Sequence, residues 1–380
     1  MKTIKLTALI LGLLSLCGCS QNRIFANYRE LDQTELIQTM GMDKIGDEAF
    51  VTVATGVEEK GSFTIFTGKA ATIANALSQI HTFPTKRYLF FGHTTNLLIG
   101  SDMLSRLGEC FDFIERSADM RLDTPLFIVR NGSARDLMRE AKVGEARVSE
   151  LLQPLTDESN LGSDNHVFTT KEIVSVLSSS GYALAYAVEI TRDPDKTSGD
   201  EANVIPAGYG IIKNGGIIGY VDYSDCLGVN LIINQAVNGI LEVDDGLGGY
   251  VSLSLANSKS YVEGEYSGNR LQKIILRIKT SANIEQMDHS LDISKIEILE
   301  KLEAELANIL TDYCQRAINI SKETETDFLG FGKRLHIDSP LKFEKNMADF
   351  QNVFKDIPIE IRADALIERT YDILQTGGTN

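Results

Sequence analysis

Hydrophobic and polar residues follow two different periods along the first half of the chain. Apolar residues three and four positions apart predict helices at 29–40, 69–80, 103–113 and 133–140, the last with Ser133 as its N-cap. Alternation or short apolar runs predict strands at 39–44, 49–57, 88–99 and 125–129. Two polar stretches, 156–165 and 191–203, predict exposed loops. Helices and strands therefore follow one another throughout this half.

The second half begins with strands and then changes to a helical period. Asn214-Gly215 lies between two apolar runs and predicts a tight hairpin. Alternation predicts a long β ribbon at 251–255 and 274–278, and a final strand at 357–363. Apolar residues at three- and four-residue steps from 293 to 317 predict one long amphipathic helix. Charges such as Glu303 on its opposite face favour packing on the chain's own sheet over a coiled-coil partner.

These elements together predict an α+β fold of two to three domains. We expect mixed, largely antiparallel sheets flanked by helices, with the long helix laid on the sheet of the C-terminal domain. We assign 1–18 to a signal peptide, 20–198 to an N-terminal domain, 199–206 to a linker and 207–375 to a C-terminal domain. A further division near 236 stays open. The chain has 380 residues, 43% of them hydrophobic, which is ample for such cores.

The first twenty residues have the form of a bacterial lipoprotein signal. Lys2 and Lys5 precede an apolar run that ends Leu16-Cys17-Gly18-Cys19-Ser20. Gly18 supplies the small residue before the modified cysteine, and Leu16 supplies the aliphatic residue two positions before Gly18. We therefore predict lipidation at Cys19. The run is shorter than the ~20 residues of a transmembrane helix. An ordinary secretory signal cleaved elsewhere is the alternative.

The charge balance excludes several classes of partner. The chain has 37 basic and 53 acidic residues, a net charge of −16. Loss of Lys2 and Lys5 with the signal changes this charge to −18. Such a surface repels nucleic acid and anionic lipid. We therefore predict no nucleic-acid partner, and we expect membrane attachment to depend on the acyl anchor and on protein partners.

The sequence contains no motif for catalysis or metal binding. GxSxG, HExxH and P-loop patterns do not occur, and no CxxC pair is present. We therefore predict no enzyme activity, no catalytic residue, no metal and no cofactor other than the covalent lipid on Cys19. Cys110, Cys226 and Cys314 are predicted to be small core residues, with one disulfide plus one free thiol as the alternative.

Three further features have structural interpretations. We expect His93 to be a hydrogen-bonded structural residue, and we expect Asp244 and Asp245 to belong to a turn. Gly330-Phe331-Gly332 lacks the spacing and the hydroxyl of a phosphate-binding loop. It predicts a tight turn after the long helix, with Phe331 in the core.

Four motif blocks are spread over nearly the whole mature chain. They hold, in order, Cys19, Arg29, Glu30, Gly41 and Asp43; Gly92 and His93; Gly215 and Gly219; and Asp327, Gly330, Phe331 and Gly332. Together these blocks resemble those of the Ger(x)C family, which comprises the lipoprotein C subunits of bacterial spore-germination nutrient receptors. The chain has no tryptophan, and Phe343 and Phe350 stand where the family usually has tryptophans.

The resemblance implies a non-enzymatic subunit of a germinant receptor, built from mixed α/β domains. Such a subunit would be held by its lipid on the outer face of the spore inner membrane. It would act beside a transporter-like multipass subunit and a second integral-membrane companion, and would contribute to assembly or signal coupling. Two other classes stay open. A solute-binding lipoprotein of an ABC importer would have two parallel α/β lobes, and a lipid-anchored surface enzyme would have a convergent polar pocket.

Overall fold

A computed structural model gives the structure of most of the chain. It describes residues 34–55, 63–83, 88–143, 146–157, 166–192, 202–236, 238–268, 270–287, 291–293, 295–344, 350 and 353–369. The predicted signal peptide, Cys19, Arg29 and Glu30 lie outside the described residues. Within these ranges, no helix is long and apolar enough to cross a membrane.

The larger of two main sheets contains nine strands within the described residues. They are β1 (Thr34–Ile45), β2 (Glu48–Thr55), β3 (Ile65–Ala70), β4 (Tyr88–Phe90), β5 (Asn96–Ile99), β6 (Leu126–Val129), β9 (Tyr182–Arg192), β10 (Ala202–Lys213) and β11 (Gly216–Val221). A separate short pair is formed by β7 (Lys142–Val143) and β8 (Ala146–Arg147). The order is β11-β10-β9-β6-β5-β1-β2-β3, with β4 on the start of β1. The central pairs from β9 to β1 are parallel, and the pairs towards both edges are antiparallel.

Helices cover both faces of the larger sheet. All four residues of β5 are buried, as expected for a central parallel strand. Leu97 and Ile99 belong to the core on one face and Leu98 to the core on the other. The first core includes α1 (Ile73–His81) and α2 (Leu107–Arg116), and the second includes α3 (Ala134–Glu140) and α4 (Val148–Thr156). Two further helices are α5 (Thr170–Ser180) before β9 and α6 (Cys226–Ile233) after β11.

The smaller sheet contains four strands and lies under one long helix. Its order is β12 (Ile240–Asp244), β13 (Tyr250–Ser267), β14 (Arg270–Met287) and β15 (Ile359–Arg369), with only β14 and β15 parallel. Helix α7 (Ile296–Glu323) buries Leu302, Leu306 and Leu310 on this sheet. Two short helices, α8 (Phe331–Asp338) and α9 (Pro340–Phe343), follow it.

Helix α6 lies between the larger sheet and α7. The Tyr209 hydroxyl on β10 donates a hydrogen bond to Asn230 Oδ1 on α6, at 2.8 Å, and both side chains are fully buried. On the side of α6 towards α7, Gly228 allows close contact. A Cβ atom at position 228 would overlap the Tyr313 carbonyl oxygen. The two sheets are therefore joined through one helix that fits tightly on both sides.

The structure confirms the predicted α+β class with mixed sheets and the long helix of the C-terminal half. The Asn214-Gly215 hairpin is also confirmed, because Asn214 and Gly215 have φ values of 53° and 78° between paired β10 and β11. The helix at 133–140 is confirmed together with its cap, since Ser133 Oγ accepts from the Asp136 amide. The turn at Asp245 is confirmed by its bonds from the Leu247 and Gly249 amides.

The predicted helix at 29–40 is wrong for residues 34–40. These residues form the first half of β1, which pairs with β2, β4 and β5. Ile37, Thr39 and Met40 are all fully buried, so successive positions face a core on both sides of the sheet. A strand that is buried on both faces has apolar residues at three- and four-residue steps too, so this pattern does not distinguish it from a helix.

Three other boundaries differ from the prediction. Lys69 belongs to β3, which pairs with β2, and the helix begins only after Thr72, whose hydroxyl accepts from the Asn75 amide. The predicted strand at 88–99 is two strands, because a turn with a Thr94 amide bond to the Phe91 carbonyl separates them. The start of the predicted helix at 103–113 is a 3₁₀ turn, Ser101–Arg106.

Residues 202–206 lie in a strand, although the sequence suggests a linker at 199–206. They begin β10, and Ala202 and Val204 are buried while Asn203 is exposed. These residues pair with the end of β9, so the larger sheet includes strands from both sides of the expected domain boundary. The chain changes from the larger to the smaller sheet between Val221 and Ile240. The domain limits themselves stay a prediction.

Replacing Gly228 with alanine should loosen the α6–α7 contact. The new methyl group would lie 2.6 Å from the Tyr313 carbonyl carbon, so one helix must move. We expect the free energy of unfolding to fall by about 2 kcal/mol. Urea unfolding followed by circular dichroism measures this change.

Gly108→Ala is the matched control, because it is also a helical glycine but has open space around its missing side chain. It should leave stability unchanged or raise it by up to about 1 kcal/mol. Equal effects of the two substitutions would contradict a specific contact at Gly228.

Candidate functional site at the junction of the two sheets

A buried carboxylate, Asp327, ties the start of α8 to the larger sheet. Its Oδ1 accepts a hydrogen bond from the Phe331 amide at 2.8 Å, and its Oδ2 accepts from the Gly332 amide at 2.6 Å. The Tyr182 hydroxyl also donates to this carboxylate, whereas the Gly330 amide donates to the backbone carbonyl of Asp327 at 2.9 Å. Tyr182 is the first residue of β9, so the carboxylate joins the start of α8 to the other sheet.

The glycines around Phe331 permit this arrangement. Gly330 has a φ of +75°, which favours glycine, and it lies immediately before α8. A Cβ atom on Gly332 would lie 2.9 Å from the Phe350 ring and 3.2 Å from Asp327 Oδ2. Phe331 is fully buried, 6.0 Å from the Phe354 ring centroid, as the sequence predicts.

Burial and hydrogen bonding act in opposite directions on the charge of Asp327. Burial raises its pKa to about 7, and the neighbouring hydrogen-bond donors act to lower it. The neighbouring guanidinium of Arg334 is also partly desolvated, which lowers its pKa, although the charge of Asp327 opposes this effect. Arg334 Nη1 donates to the Ile232 carbonyl at 2.6 Å and to Ser260 Oγ at 2.9 Å. This cation is therefore fixed in position behind α8.

A second buried carboxylate, Asp43, holds the start of α3 in the same way. Asp43 Oδ1 accepts from the Ala134 amide at 2.7 Å, and Oδ2 accepts from the Arg135 amide at 2.8 Å. Burial raises its pKa, against the effect of these two bonds. A Cβ atom on Gly100 would overlap Asp43 Oδ1, and one on Gly41 would lie 2.9 Å from the Ala134 side chain. Both glycines are therefore needed for the close approach of β1 to α3.

The remaining motif residues lie apart from these two carboxylates. Gly92 and His93 occupy the turn between β4 and β5, and His93 is exposed. Its structural role stays a prediction. Gly215 lies at the tip of the β10–β11 hairpin. Gly219 faces α7, where its Cβ would lie 3.3 Å from Thr324 Cγ2. The structure therefore brings together Asp327, Gly330, Phe331 and Gly332 on one side, and Gly41 and Asp43 on another.

A groove of about 700 Å³ opens between α5 and α8, beside the Asp327 cap. We call it the junction groove. Phe328 and Leu329 are buried in its wall, whereas Val176 and Ile337 are 38% and 69% exposed. The charged residues that line it are Lys171, Glu172, Lys333 and Arg334.

The candidate metal ligands and thiols of the described residues have structural positions. No group of three or more His, Cys, Asp or Glu residues is placed to hold a metal ion within the described ranges. Cys110, Cys226 and Cys314 are buried core residues that form no disulfide, which confirms the core interpretation. Burial raises the pKa of Cys110 to about 12, and it also raises that of Cys314. Neither thiol is activated as a nucleophile.

Sequence reasoning missed several residues of the junction. Tyr182, Asn230 and Arg334 each have partners that are distant in the sequence, and no local motif marks them. The contact of Gly100 with Asp43 depends on two strands meeting one helix, which no local pattern predicts.

The stabilisation that Asp327 provides should depend on pH. Its pKa of about 7 in the folded chain lies above its ordinary value of 3.8, so folding favours the protonated form. This contribution is fully present below the lower value and is lost as the pH rises through about 7. We expect the free energy of unfolding of the wild type, relative to Asp327→Asn, to decrease across this window. Urea midpoints measured from pH 5 to 9 test this expectation.

Tyr182→Phe provides a second variant at the same site. It removes a hydroxyl that acts to lower the pKa of Asp327, so the decrease in stability should move to higher pH. A difference between wild type and Asp327→Asn that stays constant from pH 5 to 9 would contradict the assignment.

Two protein-family models match this chain, one in each half. The family model for the spore germination protein N-terminal domain matches residues 27–191. The model described as spore germination B3/GerAC like, C-terminal, matches residues 207–371. Together the two models span most of the chain.

Two similar proteins match this chain over nearly their whole length. The chain is 19% identical to spore germination protein KC of Bacillus subtilis (strain 168), covering 95% of this chain and 94% of that protein. The crystal structure of the GerBC protein superposes with a TM-score of 0.57 at 14% identity, covering 86% of this chain and 96% of GerBC. That likeness shows a common fold. Given the two family models in order and the full-length relative, this chain belongs to the Ger(x)C family of germinant-receptor subunits.

Proposed function

We propose that this chain is a lipid-anchored, non-enzymatic subunit of a spore-germination nutrient receptor, and that it contributes to assembly or signal coupling. The observation that supports this most directly is the order of its parts. A lipoprotein signal ending at Cys19 is followed by the two family domains at 27–191 and 207–371. The anchor would thus lie only a few residues before the first domain.

The acyl chain would hold the protein on the outer face of the spore inner membrane. The described chain contains no helix that could span a bilayer. Its net charge after signal removal, −18, disfavours direct binding to anionic lipid. Because the acidic surface offers no electrostatic contact with the membrane beside the lipid, attachment would also depend on protein partners. These partners would be the transporter-like subunit and its integral-membrane companion.

The use of the buried polar residues supports a role without catalysis. Asp43 and Asp327 each direct both carboxylate oxygens at backbone amides, so their acceptor positions are taken by the fold. The three described thiols are buried in the core and form no disulfide. These carboxylates and thiols, which could otherwise act as acids, bases or nucleophiles, are therefore used to hold the fold together.

The contacts between the two sheets support signal coupling, rather than assembly alone, as the role of this subunit in the receptor. Tyr182 bonds to Asp327 and Tyr209 bonds to Asn230, and both bonds link the larger sheet to helices that pack on the smaller one. Lys213 at the β10–β11 turn also reaches the Glu325 carbonyl after α7, at 3.4 Å. A displacement of one sheet would therefore break buried polar bonds unless the other sheet followed it.

A solute-binding lipoprotein is the alternative. That class is expected to have two parallel α/β lobes, whereas the larger sheet here ends in antiparallel pairs and the smaller sheet is mostly antiparallel. This topology favours the receptor subunit.

Cys19→Ala should abolish acylation. We expect loss of radioactive palmitate labelling and release of the protein from the membrane fraction, because the modified thiol is removed. Cys17→Ala is the matched control, two residues away in the same signal, and should leave labelling and membrane attachment unchanged. Labelled Cys19→Ala protein would show that the lipidation site is elsewhere.

Purification of the tagged protein from detergent-solubilised spore membranes should recover its partners. We expect mass spectrometry to identify a multipass transporter-like subunit and a second integral-membrane subunit. Recovery of an ATP-driven permease instead would assign the chain to a solute importer and contradict the proposal.

A further inference from the structure

The junction groove has a charge opposite to that of the whole protein. The chain carries 53 acidic and 37 basic residues, yet three of the four charged residues that line the groove are cations. Lys171 and Lys333 are exposed at its edges, and Arg334 lies deeper. Neither lysine forms an ion pair within the described part of the chain. The charge of Lys171 does act on Asp123, where it helps to lower the pKa of that carboxyl after the larger effect of Arg121. The groove therefore offers two ammonium groups that no described carboxylate contacts directly.

The single acidic residue of the groove is already engaged. Glu172 Oε2 accepts hydrogen bonds from the Thr169 amide and the Thr169 hydroxyl, each at 2.8 Å. These bonds form the capping box at the start of α5. The carboxylate is thus held towards the backbone of its own helix. It also lies at the positive end of the helix dipole, which reduces its effect on a neighbouring anion.

Arg334 adds a fixed positive charge behind the groove. Its guanidinium bonds to the Ile232 carbonyl and to Ser260, which are neutral acceptors. The charge that acts on it favourably is Asp327, whose carboxylate already accepts from the Phe331 and Gly332 amides and from the Tyr182 hydroxyl. An anion in the groove would offset a charge that the fold leaves only partly compensated.

Most of the uncharged lining is apolar, and its polar members are Thr169, Ser175, Asn234 and Gln235. Val176 on α5 and Ile337 on α8 face the groove with 38% and 69% of their surfaces exposed, over a wall that includes Phe328 and Leu329. A volume of about 700 Å³ lies in the range typical of small-molecule sites. Apolar walls with a few convergent cations match a molecule that has an apolar body and an acidic end.

We propose that the junction groove binds a small amphiphilic carboxylate. Its carboxylate would lie between Lys171 and Lys333, and its apolar body would lie against Val176, Phe328 and Ile337. The volume favours a small molecule over a segment of another protein. A molecule bound there contacts both α5 and α8. Helix α5 precedes β9 of the larger sheet, and α8 packs on the smaller sheet.

The test uses 3-phenylpropionate as probe and the full-length protein in phosphatidylcholine nanodiscs. Isothermal titration calorimetry measures its Kd, and empty nanodiscs correct for partition into lipid. We expect a Kd of about 1 mM or tighter. The neutral, nearly isosteric 3-phenylpropionamide should bind at least about tenfold more weakly, because it cannot pair with the two lysines.

Three variants locate the site. Lys171→Gln and Lys333→Gln should each weaken binding about three- to tenfold, and Ile337→Gln should weaken binding of both ligands by removing apolar contact. Lys259→Gln is the matched control, because Lys259 is an exposed lysine on β13 outside the groove and its loss changes the net charge equally. It should leave the Kd unchanged. All four positions are exposed, so the variants should fold.

Several results would overturn the proposal. They are no heat of binding with the wild type, equal affinity for the acid and the amide, or an equal effect of Lys259→Gln and Lys333→Gln. A further result would reassign the groove. If the Lys171→Gln/Lys333→Gln variant lost its membrane subunits during purification while the wild type did not bind the probe, the groove would be a protein-docking surface. The small-ligand proposal would then be wrong, but the receptor-subunit proposal would stand.

Discussion

The buried carboxylate of Asp327 is the interaction on which the junction between the two sheets depends. A carboxylate removed from water is costly unless donors replace its hydration, and here the amides of Phe331 and Gly332 and the Tyr182 hydroxyl do so. The same bonds satisfy amides that the first turn of a helix leaves free. Without this side chain, α8 would begin with unpaired buried donors, and β9 would lose its polar contact with the smaller sheet.

Asp43 shows that the chain uses this solution twice, and both times glycine makes it possible. At Asp43 the close approach requires Gly100, whose side chain would overlap the carboxylate, and Gly41, which lies against α3. At Asp327 it requires Gly332 and the positive φ of Gly330. Geometry therefore explains Gly100 together with three glycines and two aspartates of the motif blocks. Each aspartate reaches a helix start only where the backbone has no side chain in the way.

Much of the fold could be predicted from local pattern, but its connections could not. The Asn214-Gly215 hairpin, the Ser133 cap and the long helix follow from turn chemistry, capping and period, all of which are properties of short segments. Residues 34–40 were assigned to a helix because a strand that is buried on both faces loses its alternation. The motif residues were identified by resemblance, whereas the role of Asp327 depends on Tyr182, 145 positions away, and on amides that periodicity does not identify.

The junction groove and the Asp327 cap share a segment of chain, and this connects binding to the packing of the two sheets. Phe328, Leu329 and Gly330 line the groove, and the next two residues donate to the carboxylate. A ligand that presses on Phe328 therefore acts on the same backbone that holds α8 against Tyr182. Since α5 forms the opposite wall and leads directly into β9 through Gly181, the ligand contacts both ends of this connection. Any preference of a ligand for one spacing of α5 and α8 becomes a preference for one arrangement of the two sheets, because a ligand shifts a conformational equilibrium only through its different affinities for the two states.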